Sequence, residues 1–142
     1  MLYTKMTKVA LKLCFEAHKE QTDKSGMPYV FHPFHIAEQM QDEKSTIVAL
    51  LHDLVEDTDY TLNDLRSMGF DSEIIEAIAL LTHDENVSYE DYLNRIKTNP
   101  LAKTVKFADI AHNSDQTRLD DDDPRAEKWQ EKYKKALQIL EG

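Results

Sequence analysis

Apolar residues recur three and four apart in one stretch of this chain after another, the period of helices packed by one face. Met6, Val9, Ala10, Leu13 and Ala17, with lysines opposite, predict a first helix over about 3–20. Residues 21–31 contain Gly26 and Pro28 and read as a loop. Phe34, Ile36, Ala37 and Met40 then predict a short helix over about 33–41, with Pro33 as its first residue. Thr61 and Gly69 bracket a further helix, and Asp71 caps the next, which carries Ile74, Ile75, Ala77, Ile78 and Leu81. Ser88 to Asp91 resembles a capping box and starts a helix through about residue 97. Another helix is predicted over about 100–114. A last one covers about 124–141, with Asp123 as N-cap, Pro124 as first residue, and Trp129, Tyr133, Leu137 and Leu140 as a packing face. No segment reads as a strand. The pattern predicts an all-α single domain over 1–142, with about eight helices.

The stretch Thr46–Thr58 is the chemically unusual one. Ile47, Val48, Ala49, Leu50 and Leu51 form an unbroken apolar run, followed at once by His52, Asp53, Glu56 and Asp57. On one continuous helix His52 lies over Glu56 and Asp53 over Asp57, which gathers an imidazole and three carboxylates on one side. Like charges at that spacing destabilise a helix unless a cation neutralises them, and a hard divalent metal with nitrogen and oxygen ligands suits the set. The plainer alternative is an amphipathic helix whose acidic end faces water. The helix dipole works against it, because anions are disfavoured at a C-terminus.

A second unusual helix follows at 100–114. Leu101, Val105, Ala108, Ile110 and Ala111 are core-like, while Lys106, Asp109 and Asn113 share one face. A carboxylate within an apolar helix needs a partner, either a metal or a lysine such as Lys106. His32 stands at a loop-to-helix junction, from which it can reach another helix, and His35 is a rival ligand three residues on. His18 reads as a structural cation near the end of its helix. His83 and Asp84 read as surface loop, and Asp120 to Asp123 as solvated loop.

Composition narrows the functional classes. The chain has 142 residues, only three Gly and four Pro, and one cysteine, so neither an internal disulfide nor a thiolate cluster can form. Cys14 falls in an apolar pattern and reads as core. A formal charge of −10 argues against nucleic acid as partner, since phosphate backbones are held by clustered Lys and Arg. There is no leader-like start and no apolar run of membrane-spanning length, so the chain is expected to be cytoplasmic with no membrane partner. The sequence leaves the oligomeric state open.

His32, then His52-Asp53, then Asp109 has the order and spacing found in the HD-domain metal-dependent phosphohydrolases. The segments QTDKSGMPYVFHPFH (21–35), ALLHDLVEDT (49–58) and VKFADIAHN (105–113) resemble the hydrolase domain of the RelA/SpoT family. The small stand-alone type, which includes the metazoan SpoT homologue, is the nearest. This resemblance covers nearly the whole chain and implies a single HD phosphohydrolase domain. It implies one divalent metal, Mn²⁺ in the family, held by His32, His52, Asp53 and Asp109. Glu56 and Asp57 correspond to the family's catalytic acidic pair, and Lys24, Asn113 and Tyr133 to substrate-binding positions. The implied reaction is loss of the 3′-pyrophosphate from guanosine tetra- or pentaphosphate, a small phosphorylated nucleotide.

The chain departs from the family pattern at Asp23, where an arginine commonly faces the guanine, and at Ile110, where Arg or Lys usually follows the metal-binding Asp. An acid offers no planar cationic surface, which keeps a different nucleotide or phosphoester open as the substrate. A non-catalytic nucleotide-sensing module is the third alternative.

Overall fold

The computed structural model describes residues 1–119 and 123–142. Its helices are α1 (Lys5–His18), α2 (Phe31–Glu38), α3 (Glu43–Leu51), α4 (Leu54–Asp57), α5 (Leu62–Ser67), α6 (Ser72–Leu81), α7 (Tyr89–Lys97), α8 (Pro100–Asn113) and α9 (Ala126–Glu141). A 3₁₀ helix, Gln116–Arg118, follows α8. The described residues form no strand; the one extended pairing is an isolated bridge between Thr22 and Pro28.

The all-α expectation holds, and the central run explains the packing. Every residue from Ser45 to Leu51 is buried, because α3 is apolar all round and is covered by α1, α2, α6 and α8. Ile47, Leu50 and Leu51 are fully enclosed, and each contributes about 1.5–3 kcal/mol of burial. α9 lies against α7 and α8 and buries Ala136 and Leu140. No helix among the described residues is long and apolar enough to cross a membrane.

Several predicted boundaries follow from capping. The Thr61 hydroxyl accepts the Asp64 N–H while Asp64 returns a bond to the Thr61 N–H, and Gly69 at φ 91° turns the chain out of α5. Ser88 caps α7 and Asn99 caps α8 just before Pro100. Asp42 caps α3 by accepting the Ser45 N–H at 2.8 Å.

Three expectations are corrected. The central stretch is two helices, with a break at His52 and Asp53. The Ala49 carbonyl, which a continuing helix would use for the Asp53 N–H, receives the His52 ring at 2.6 Å, and Asp53 sits at φ −105°, ψ 2°. α2 starts at Phe31, so Pro33 is its third residue. α9 starts at Ala126 because Asp123 turns its carboxylate onto Arg125, accepting the backbone N–H at 2.9 Å and pairing with the guanidinium. Of the predicted acidic loop, Asp120, Asp121 and Asp122 lie outside the described residues.

Candidate active site

Three elements meet at one buried point. α2 delivers His32, the break after α3 delivers His52 and Asp53, and α8 delivers Asp109. His32, His52 and Asp109 each offer a ligand atom, and these atoms all lie within 4.8 Å of one another. His32 Nε2 is 2.8 Å from Asp109 Oδ1. Asp53 borders this trio through His52, its Oδ2 standing 3.2 Å from His52 Nε2.

His52 sets the charge balance of the arrangement. It is 2% exposed, and its Nδ1 donates to the Ala49 carbonyl, which fixes the tautomer and leaves Nε2 facing Asp53 and Asp109. Asp109 Oδ1 is 3.5 Å from Nε2. Neither carboxylate is aligned with it, and Nε2 is a buried nitrogen without a hydrogen-bond partner among the described residues. Burial opposes a charged His52, yet Asp53 and Asp109 outweigh it and hold the imidazole pKa well above its ordinary value. The site thus draws a positive charge to that position. A divalent cation fits there, with two imidazole nitrogens and carboxylate oxygens converging on it.

Asp109 meets the lysine its sequence context allowed and also faces a histidine. Oδ2 takes the Lys106 ammonium at 2.9 Å, and Oδ1 faces His32 and accepts from Asn113 Nδ2 at 3.1 Å. Against the effect of burial, Lys106 and the two histidines hold its carboxyl well below the usual range. His32 is braced from behind by His112, with the two Nδ1 atoms 2.7 Å apart. His35 is exposed and stacks on His112 at 4.0 Å between ring centroids, outside the ligand group.

The acidic pair separates. With the helix broken, Glu56 does not lie over His52; its Oε1 accepts the His83 backbone N–H at 2.6 Å, on the α6–α7 connection. Asp57 lines the pocket beside Asp53 and His32. Partial burial, Asp53 and Glu56 push its carboxyl up to about 6. His83 is half-buried rather than surface, its ring stacked on Tyr92 and its Nε2 2.8 Å from the Val87 carbonyl. His18 is buried and its pKa is lowered, so it is a core imidazole bonded to Gln21 rather than a cation. Cys14 is core as expected, and burial drives its thiol up to about 12. Ile110 is buried in the core and does not face the pocket.

Above the buried group opens a cavity of about 460 Å³ that Lys24, Asn113 and Tyr133 all reach. Three further residues there escaped the sequence reading. The Tyr29 hydroxyl donates to Asp53; its signal was an aromatic one turn before His32. Trp129 holds Lys24 Nζ 4.4 Å from its ring centroid, although its helical spacing suggested packing alone. Arg118 comes from the 3₁₀ helix, which no pattern announced.

No family model matches the chain. It is 31% identical to the guanosine-3′,5′-bis(diphosphate) 3′-pyrophosphohydrolase MESH1 of Danio rerio over an alignment of 141 positions, which covers 89% of this chain and 78% of that protein. The Mus musculus MESH1 is 30% identical, with 90% and 80% covered. A probable GTP pyrophosphokinase of Mycobacterium leprae is also 30% identical, but the chain spans only 17% of its length. Among solved structures, a metazoan orthologue of SpoT described as hydrolysing ppGpp superposes with a TM-score of 0.78. That match covers 100% of this chain and 89% of the other at 22% identity, a likeness of fold. On its identity to the fish and mouse proteins along most of their length, the chain belongs to the MESH1 family of guanosine-3′,5′-bis(diphosphate) 3′-pyrophosphohydrolases.

Proposed function

We propose that this chain removes the 3′-pyrophosphate from guanosine tetra- or pentaphosphate, with His32, His52, Asp53 and Asp109 holding one Mn²⁺. The observation that carries the reading is the buried His52 Nε2, which lacks a hydrogen-bond partner among the described residues and faces two carboxylates, beside His32 and Asp53 that line a nucleotide-sized cavity. When bound, a divalent ion supplies charge neutralisation for the phosphoryl group and acidifies a water. The rest of the work falls to side chains. Asp57, with its carboxyl near 6, is ionised at neutral pH and would be basic enough to accept a proton from an attacking water in the pocket it lines. Glu56 is anchored to the His83 N–H and steadies the short α4 from which Asp57 projects. Lys24 draws phosphate oxygens into the pocket, Asn113 offers an amide to the sugar or phosphates, and Tyr133 closes the outer wall.

One observation favours a second reading, hydrolysis of a different nucleotide. Asp23 occupies the pocket where a stacking cation would suit guanine.

Incubation with Mn²⁺ and a nucleotide panel, followed by chromatography, tests both. GDP and pyrophosphate from ppGpp, absent with Asp53→Ala, is the expected result. Intact ppGpp with another nucleotide cleaved selects the second reading, and full activity in Asp53→Ala overturns the metal assignment.

A further inference from the structure

The charge pairing at the mouth of the pocket carries an inference that rests on the nucleotide reading above. Asp23 is fixed by its own loop, its Oδ1 accepting the Ser25 and Met27 backbone N–H groups at 2.9 and 3.0 Å. Its other oxygen faces the pocket, where it meets Arg118 Nη2 at 3.8 Å. Arg118 arrives from a different element. Its Nη1 donates to the His112 carbonyl at 2.9 Å and to Asn113 Oδ1 at 3.3 Å. The edge of the guanidinium is therefore tied to protein acceptors, and its charge is offset by Asp23.

What a group so held still offers is its flat face. An arginine plane packs on a heteroaromatic ring, and tying down its edge removes the entropy that stacking would otherwise cost. A phosphate approaching the same guanidinium would meet the Asp23 carboxylate as well, whereas a neutral base would not. The positive charge that phosphates need stands elsewhere in the pocket, on Lys24.

We propose that Arg118, oriented by Asp23, is the wall against which the substrate's nucleobase stacks, and that it sets base specificity rather than phosphate affinity. The paired Asp23 then does not leave the pocket without a planar cation. It holds one that comes from a different element, the 3₁₀ helix after α8.

The two products of the proposed reaction separate base from phosphate, because GDP carries the base and pyrophosphate does not. Calorimetric titration of each into the Mn²⁺-loaded protein reads binding without turnover. Arg118→Ala is expected to weaken GDP binding about tenfold, the scale of one stacked base, while pyrophosphate binding changes less than ~twofold. Arg118→Lys, which keeps the charge and loses the plane, shows the same GDP defect and serves if the alanine variant folds poorly. Asp23→Asn keeps an acceptor for the loop N–H groups but uncovers the guanidinium charge, so the preference for GDP over pyrophosphate falls. Unchanged GDP affinity in Arg118→Ala or Arg118→Lys, or equal weakening of GDP and pyrophosphate, overturns the inference. So does a wild-type protein that binds GDP no better than pyrophosphate. Failure of the hydrolase reading looks different: ppGpp survives in Mn²⁺ while the effect of Arg118 on GDP binding persists.

Discussion

The floor and the mouth of the pocket are built on opposite plans. The floor takes His32, His52 and Asp109 from helices or their ends, each 2–6% exposed, and braces them from behind with His112, the Ala49 carbonyl and Lys106. The mouth takes Lys24, Arg118 and Trp129 from a loop, a 3₁₀ turn and the outer face of α9, all partly or fully open to solvent. Under the metal assignment proposed above, ligands must be held in one geometry, which rigid and buried supports provide. Groups that recognise a diffusible ligand gain from standing on surface segments, where a residue can change without disturbing the core.

The sharpest way to break this comparison is at Lys106, which is almost wholly enclosed between Asp109 and the Tyr92 ring. Lys106→Met leaves the Asp109 carboxylate short of its buried cation, and losing one partner of such a pair costs about 3–5 kcal/mol. A fall in melting temperature of about 10 °C is expected for the metal-free protein, with part of it restored by Mn²⁺. A change confined to catalysis, with the melting curve unmoved, would show that the floor does not depend on this brace.

His112 tests the same plan more gently. It touches His32 through the nitrogen opposite the one that faces Asp109. His112→Ala is expected to lower Mn²⁺ affinity about 10–100-fold, the usual weight of a residue that orients a ligand, with the fold intact. At the mouth the prediction reverses. Trp129→Ala should leave Mn²⁺ affinity and the melting temperature nearly unchanged while nucleotide binding weakens several-fold, by about 1 kcal/mol. Equal effects of the two substitutions on metal binding would erase the distinction between floor and mouth.

The same contrast decides what could be read from the chain. α5 and α7 were legible because Thr61, Gly69 and Ser88 are local signals, and α3 was legible because an unbroken apolar run has nowhere to go but the core. Asp109 was legible as an acid among apolar neighbours. The break after α3 was not, since no Gly or Pro marks it; it comes from the His52 ring taking a carbonyl on its own helix. Beyond the break, Glu56 accepts the His83 N–H while Asp57 lines the pocket. Arg118 and Asp23 lie 95 positions apart and meet only where the fold brings the 3₁₀ helix after α8 to the loop before α2, so no local pattern could join them.

Asp57 stands where floor and mouth meet, and its titration shows which it belongs to. Its carboxyl rises from an ordinary 3.8 to about 6, first through partial burial and then through the charges on Asp53 and Glu56. A group whose folded-state pKa is raised adds stability that is complete below its unfolded value and is lost as pH climbs through the folded one. For Asp57 that window runs from about 4 to about 6, and above it the ionised carboxylate works against the fold. Metal-free Asp57→Asn should therefore melt above the wild type at pH 7 and lose that advantage by pH 4. The effect is modest because the residue is only partly withdrawn from solvent, which screens its charge. Melting curves across pH in the presence of chelator check the sign. A variant less stable than wild type at pH 7 would mean that Asp57 is held by a favourable contact, as the floor residues are. The expected gain marks it instead as a carboxylate whose charge burial and its acidic neighbours oppose, which is the condition the proton transfer proposed above calls for.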